Sequence, residues 1–261
     1  MSDRIEKIAA ELLRQHQAKA RYETLSGEYA LADIDEAYAV QDALQILFSE
    51  AGRGALAGHK IGLTSKPIQE LCKVDRPVAG GFFENDIHTS PAKVQLSDFT
   101  RLGVEFEIAA TIGDRVPDTG KPYDRSTIRP YVAGMSPAFE LIEDRDADYS
   151  SLEGLTLAAD NSWCGGVVLG DPIGIWPEVD FATQTVTMFR NDDEPVHTST
   201  GACHPFETLA WLANQLISRG QTLEPGRIVM TGSTLATIFP VAGDRFVYEV
   251  DELARVEIEL V

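Results

Sequence analysis

From about Phe82 to the C-terminus, short apolar runs are cut apart by Gly, Pro, Asn and Asp: 104–112, 138–142, 166–169, 185–189, 227–231, 246–250 and 256–261. Runs of this length between turn residues read as strands. One later segment, Pro205 to Arg219, carries helical spacing, with Leu209, Leu212, Ala213 and Leu216 on one face and Gly220 as its stop. A doubly wound sheet needs a helix between successive parallel strands. Those helices are missing, so the pattern predicts an α+β fold. The stretch 145–160, rich in Asp and Ser, reads as a loop of the kind that often forms a lid or binding segment.

Helical spacing dominates the N-terminal part instead. Ile5, Ile8, Ala9, Leu12 and Leu13 predict a helix from Asp3 to about Ala20 with Ser2 as N-cap. Asp33 followed by Glu36, then Ala37, Val40, Gln41, Leu44 and Leu47, predicts a second helix stopped at Gly52. Ala55 to Leu63 reads as a strand, and Ser65-Lys66-Pro67 as the capped start of a short helix. There is no repeat, low-complexity tract or long linker. The 261 residues are therefore expected to form a single domain, with a helical region of about 1–54 ahead of a strand-rich region of about 55–261.

Charge narrows the partners. The chain has 22 Lys+Arg against 41 Asp+Glu, a formal charge of -19, and no basic stripe, which argues against nucleic acid and an anionic membrane surface. No apolar run approaches the ~18 residues of a membrane helix. Met1-Ser2-Asp3-Arg4-Ile5-Glu6 lacks a basic segment followed by an apolar block and reads as a cytoplasmic start. Cys72, Cys164 and Cys203 are odd in number and far apart, so reduced thiols are expected rather than a disulfide framework or thiolate zinc site. A metal would then be held by carboxylates, which favour hard cations such as Mg, Mn or Ca.

Several segments can carry chemistry. In Gly103-Val104-Glu105-Phe106-Glu107-Ile108-Ala109 the two acids alternate with apolar residues, so a strand puts both carboxylates on one face, about 7 Å apart. They are either a cation pair or a solvated strand face, and Val256-Glu257-Ile258-Glu259-Leu260 shows the same alternation as an internal control. Glu140 lies inside the apolar run Pro137-Ala138-Phe139-Glu140-Leu141-Ile142, where a lone carboxylate must be compensated. Its partner is either a nearby Arg such as Arg145 or a metal shared with Glu105 and Glu107. Gly58-His59-Lys60-Ile61-Gly62-Leu63-Thr64-Ser65 fails the phosphate-loop pattern because His59 separates Gly from Lys. Lys60 in that apolar strand is either a proton carrier and anion clamp or a side chain snorkelling to solvent. Gly232-Ser233-Thr234 at a strand end can offer a hydroxyl and N–H groups to a ligand carboxylate, or be a simple turn. None of the five His shows metal-ligand spacing.

Taken in order, these motifs, together with Ala37-Tyr38-Ala39-Val40-Gln41, Ala159-Asp160-Asn161, His204-Pro205, Ala210-Trp211-Leu212-Ala213-Asn214 and Gly243-Asp244, span most of the chain. They resemble the 2-keto-4-pentenoate hydratase and 4-oxalocrotonate decarboxylase branch of the fumarylacetoacetate hydrolase superfamily. The resemblance implies a mixed β-roll with helices packed outside. It implies Mg or Mn held by Glu105, Glu107 and Glu140, Lys60 as the acid/base residue, and substrate contacts from the Leu63 backbone and the Ser233 hydroxyl.

The activity implied is hydration of 2-hydroxypenta-2,4-dienoate or a close relative to a 4-hydroxy-2-oxo acid, in aromatic-compound catabolism. The alternatives are a 4-oxalocrotonate decarboxylase using the same site, an acylpyruvate-type C–C hydrolase, and a non-catalytic partner subunit. A homo-oligomer is implied, as is association with a homologous decarboxylase or hydratase. One departure favours the decarboxylase: hydratases of this branch resemble one another in a carboxylate after the Pro downstream of the Lys motif, and here Pro77 is followed by Val78. Asp75 and Glu84 are candidates to replace it.

Overall fold

The computed structural model describes residues 2–261; Met1, the first residue of the predicted cytoplasmic start, lies outside them. Helix α1 (Asp3–Gln17) starts where Ser2 accepts a hydrogen bond from the Ile5 N–H, and it carries Asp3 and Glu6 in its first turn. Helix α2 (Ile34–Phe48) is capped by Asp33, which accepts from Glu36 N at 2.9 Å, while the Glu36 carboxylate accepts from Ala32 N at 2.7 Å. Such reciprocal capping satisfies amides that the first turn leaves open. The two helices bury Ile8, Ala9, Leu12, Ala37, Val40 and Leu44 in one apolar cluster.

The rest is strand-rich. Two sheets are built from β1 (Leu56–Gly62), β2 (Val78–Phe83), β3 (Ile87–Thr89), β4 (Ala92–Val94), β5 (Leu102–Ile112), β6 (Val132–Glu143), β7 (Cys164–Leu169), β8 (Thr185–Arg190), β9 (Val196–Ser199), β10 (Ile228–Ser233), β11 (Arg245–Val250) and β12 (Ala254–Leu260). One has seven strands in the order β2-β1-β10-β5-β6-β7-β3, with β1–β10 and β3–β7 parallel and its other pairs antiparallel. The other has five, β4-β12-β11-β8-β9. Helices α3 (Lys66–Leu71), α4 (Arg125–Ile128), α5 (Gly154–Ala159) and α6 (Pro205–Ser218) complete the mixed α+β architecture.

Alternation along β5 decides what faces what. Val104, Phe106 and Ile108 enter the principal apolar core, where the Phe106 ring meets Phe139 at 5.5 Å and Phe246 at 5.6 Å, edge to face. Glu105 and Glu107 must then point to the other face of the seven-stranded sheet. That face is strongly curved. Lys60 on β1 reaches Glu140 on β6 although β10 and β5 lie between, a separation of roughly 14 Å in a flat sheet. The curl also presses β2 against the turn before β7: a Cβ at Gly80 would sit 2.3 Å from the Asn161 carbonyl oxygen.

Three expectations need correction. The stretch 145–160 is not a plain loop: it contains a turn at Tyr149–Ser151 and α5, whose start is capped by Glu153 accepting from Thr156 N. Its composition concealed this because Leu157, Ala158 and Ala159, which face the core, follow a run of polar residues. Ser65 precedes α3, but its side chain makes no capping bond. Strands β2, β3, β4 and β9 were not predicted, and β6 begins at Val132 rather than near Ala138.

Candidate active site

The β5–β6 register places Glu105 directly opposite Glu140 and Glu107 opposite Ala138. Like charges across a strand pair destabilise a sheet, and here Glu107 and Glu140 are also fully buried. Carboxylate oxygens of all three lie within 4.8 Å of one another. Neighbours hold each one in place. The Thr237 hydroxyl donates to Glu105 Oε1 at 2.5 Å. A bulge between Met230 and Ser233 in β10 turns the Gly232 N–H onto Glu107 Oε2 at 2.8 Å, with Gly232 at φ +107°, a conformation glycine adopts freely. Lys60 Nζ lies 3.1 Å from Glu140 Oε1.

Lys60 is buried, so the snorkelling alternative does not hold. Nor does Arg145 compensate Glu140. It pairs with Asp160 at 2.5 Å, and Asp160 also meets His16 at 2.6 Å. Burial raises the Glu140 carboxyl to about 7; the Lys60 charge opposes that rise and Glu105 adds to it. Glu107 is pushed well up by burial and by Glu140 and Glu105. Burial works against the Lys60 charge, but the facing carboxylates, Glu140 first, outweigh it and hold the ammonium above its ordinary value.

This donor set fits a divalent cation. Glu107 Oε1 and Glu140 Oε2 are sealed from solvent with no hydrogen-bond partner, and such orphaned carboxylate oxygens on an all-oxygen set suit a hard ion. Glu105 lines a cavity of about 490 Å³ above the triad, with Lys60, Leu63, Ser233 and Thr237 also in its wall. Leu63 sits there at φ +56°, and its carbonyl accepts from Gln69 at 2.8 Å. Ser233 Oγ accepts from Phe106 N at 2.9 Å.

Ser162, Trp163 and Thr237, also in the wall, escape the sequence reading, whereas Thr64 lies in the Lys60 motif, and Tyr149, Leu152 and Leu157 lie in the 145–160 stretch read as a binding segment. The available signal was Ala159-Asp160-Asn161, which leads into three consecutive residues of positive φ, Asn161, Ser162 and Trp163. Asn161 pins this turn to β2, its side chain accepting from Gly81 N and donating to Gly81 O. Val78 is fully buried and paired with Gly62 beside Lys60. Neither candidate replacement reaches that place. Asp75 is exposed against Arg76, and Glu84 lies beyond the opposite end of β2, accepting from Ala55 N. Among the described residues, no His lines the cavity.

The model of the fumarylacetoacetate (FAA) hydrolase C-terminal family matches residues 64–261. The chain belongs to the fumarylacetoacetate hydrolase family. Within that family it is 30% identical over 254 residues to 2-keto-4-pentenoate hydratase 1 of Dechloromonas aromatica (strain RCB), covering 96% of this chain and 95% of that protein. It is 28% identical over 243 residues to 2-hydroxyhexa-2,4-dienoate hydratase of Comamonas testosteroni, with 88% and 90% covered. The fold is shared with 4-oxalocrotonate decarboxylase from Pseudomonas putida G7 complexed with magnesium and adipate: TM-score 0.90, 21% identity, 100% of this chain and 99% of that one covered. No helix of the described residues is long and apolar enough to cross a membrane.

Proposed function

We propose that this protein is a divalent-metal-dependent hydro-lyase that adds water to 2-hydroxypenta-2,4-dienoate, or a close relative, to give a 4-hydroxy-2-oxo acid in aromatic-compound catabolism. The observation that carries the reading is the Glu105/Glu107/Glu140 set, with Glu107 and Glu140 buried, Lys60 closing it and Glu105 opening onto a cavity, in a chain matching named hydratases over most of its length. Glu105, Glu107 and Glu140 would hold Mg or Mn, which when bound supplies the positive charge that binds the substrate's 1-carboxylate and 2-oxygen and draws electrons from the conjugated chain.

Lys60 moves the proton. As ammonium it donates to C5 of the dienol, and as amine it takes the 2-hydroxyl proton, so it ends unchanged and the substrate becomes the 2-oxo-3-enoate. Water then forms the C4–O bond and its second proton enters at C3, consuming the C3=C4 double bond. Leu63 and Ser233 orient the acid end, and the apolar part of the wall limits bulk water. We take the chain to act as one domain in a cytoplasmic homo-oligomer, able to pair with a homologous decarboxylase.

Val78 favours decarboxylation as the second reading, because a buried aliphatic group at that place, paired with Gly62, cannot orient water. Incubation with Mg and 2-hydroxypentadienoate, and separately with a 2-oxohexenedioate, separates the two. Loss of dienol absorbance without CO2 supports hydration. CO2 release from the diacid, with the dienoate untouched, overturns it.

A further inference from the structure

We infer that the far end of the substrate is an uncharged alkyl or aryl group, seated against α3 and the 149–163 segment. This rests on the hydratase reading for the chemistry, but its evidence is the shape and polarity of the wall. Of the side chains lining the cavity, only Lys60 and Glu105 are charged, and both belong to the end that takes the 2-oxo acid. The wall also holds Ile68, Cys72, Ile142, Leu152, Leu157 and Trp163, which pack as parts of one apolar cluster, and its polar members, among them Thr64, Ser65, Tyr149 and Ser162, carry no charge.

A second carboxylate there would lose its water and meet no cation. Arg101 stacks on the rings of Tyr149 and Phe239, but its guanidinium is taken by Asp144, Asp146 and the Ala147 carbonyl. Lys66 turns onto the Asp75 carbonyl. The Trp163 Nε1–H is sealed from solvent, and the Tyr149 hydroxyl donates to Asp144. Cavities of roughly 300–1,000 Å³ take drug-sized ligands, so about 490 Å³ is more room than an unsubstituted five-carbon acid fills. A longer apolar tail would displace water from Ile68, Leu152 and Leu157.

Binding of saturated 2-oxo acids in the presence of Mg reads this without any turnover. Calorimetry with 2-oxopentanoate, 2-oxohexanoate, 2-oxooctanoate and 2-oxohexanedioate is expected to show about fourfold tighter binding per buried methylene. The diacid should bind at least about tenfold weaker than 2-oxohexanoate. Ile68, half-buried on the short helix α3, is the residue to change. Ile68→Ala should shrink the chain-length gain, and Ile68→Arg should reverse the preference toward the diacid.

A diacid bound as tightly as 2-oxooctanoate, or no gain with length, overturns the inference. If the binding order holds but no dienoate of any substitution is hydrated, the hydratase reading fails and this one stands. If no 2-oxo acid binds with Mg, both fail.

Discussion

Two strands of this protein carry the same Glu-x-Glu alternation and meet opposite surroundings. On β12, Glu257 faces Arg245 at 2.7 Å and Arg255 at 3.0 Å, and Glu259 faces Lys93 at 2.8 Å, with the cations largely exposed. On β5, Glu105 faces Glu140 and the burial deepens from Glu105 to Glu107. The first arrangement follows ordinary sheet chemistry, in which opposite charges sit across strands at a wet surface. The second violates it, and a violation persists only where something else is gained. Alternation within one strand is therefore uninformative, and the identity of the cross-strand partner decides.

The largest effects should fall on the β5 side. Glu140→Gln is expected to abolish the rise in melting temperature on adding Mg or Mn and to lower hydration by a factor of about 10³ or more, since the cation's whole electrostatic contribution goes with it. Chelation by EDTA should match that loss, and readdition of Mg should reverse it in the wild type alone. Lys60→Met comes next. It should lower kcat by about 10²–10⁴, the range of a lost general acid/base, while metal binding survives or tightens because a neighbouring positive charge is gone. Calorimetric Mg titration of Lys60→Met that shows no binding would assign Lys60 to holding the site together rather than to proton transfer.

What the sequence made legible follows from the same contrast. Helices α1, α2 and α6 were readable because one apolar stripe repeats along each. Strand β2 was not: Val78-Ala79-Gly80-Gly81-Phe82-Phe83 is buried throughout, so it has no alternation, and paired glycines look like a break. Gly80 is there because the Asn161 turn leaves no room for a Cβ. The short strands β3, β4 and β9 are three or four residues long, below any useful period.

In the site, Glu140 was conspicuous as a charge in an apolar run, and Lys60 for the same reason. Their meeting was hidden, since only the curl of the sheet brings β1 to β6. Thr237 was out of reach altogether: it lies beyond the end of β10 and finds Glu105, 132 positions away, through folding alone.

Acid should separate the two strands next. With the Glu140 carboxyl raised to about 7, protons compete with the cation below neutrality, and Mg affinity is expected to fall by up to about tenfold per pH unit from pH 7 downward. The stability of the metal-free protein carries the same signature with opposing parts. A carboxyl held above its unfolded value of 4.5 stabilises the fold at low pH, and that stabilisation is lost as pH rises through 7. His59 does the reverse. Burial, followed by Arg227 and Arg219, lowers it to about 4, so its contribution grows as pH rises toward its unfolded value of 6.5. Denaturant titrations of wild type and Glu140→Gln at pH 5 and pH 8 cancel the His59 part. Their difference should show the wild type losing stability relative to the variant on going to pH 8. Equal pH slopes for the two proteins would mean that Glu140 is ionised throughout.

The smallest effect belongs to β12, and it is the one on which the comparison stands. Glu257 and Glu259 pair with exposed cations, whose attraction is screened by water and salt. Removing both charges in Glu257→Gln/Glu259→Gln should leave the melting temperature within about 2 °C. It should also leave kcat/KM for the dienoate and the Mg affinity unchanged within about twofold. The freed Arg245, Arg255 and Lys93 have solvent to turn to, whereas Lys60 without Glu140 has none. Steady-state kinetics and Mg titration of the double variant therefore test whether burial and the facing strand, rather than the motif, make a carboxylate pair functional. A tenfold loss of activity would show that β12 contributes to the reaction and that the two strands differ less than their surroundings indicate.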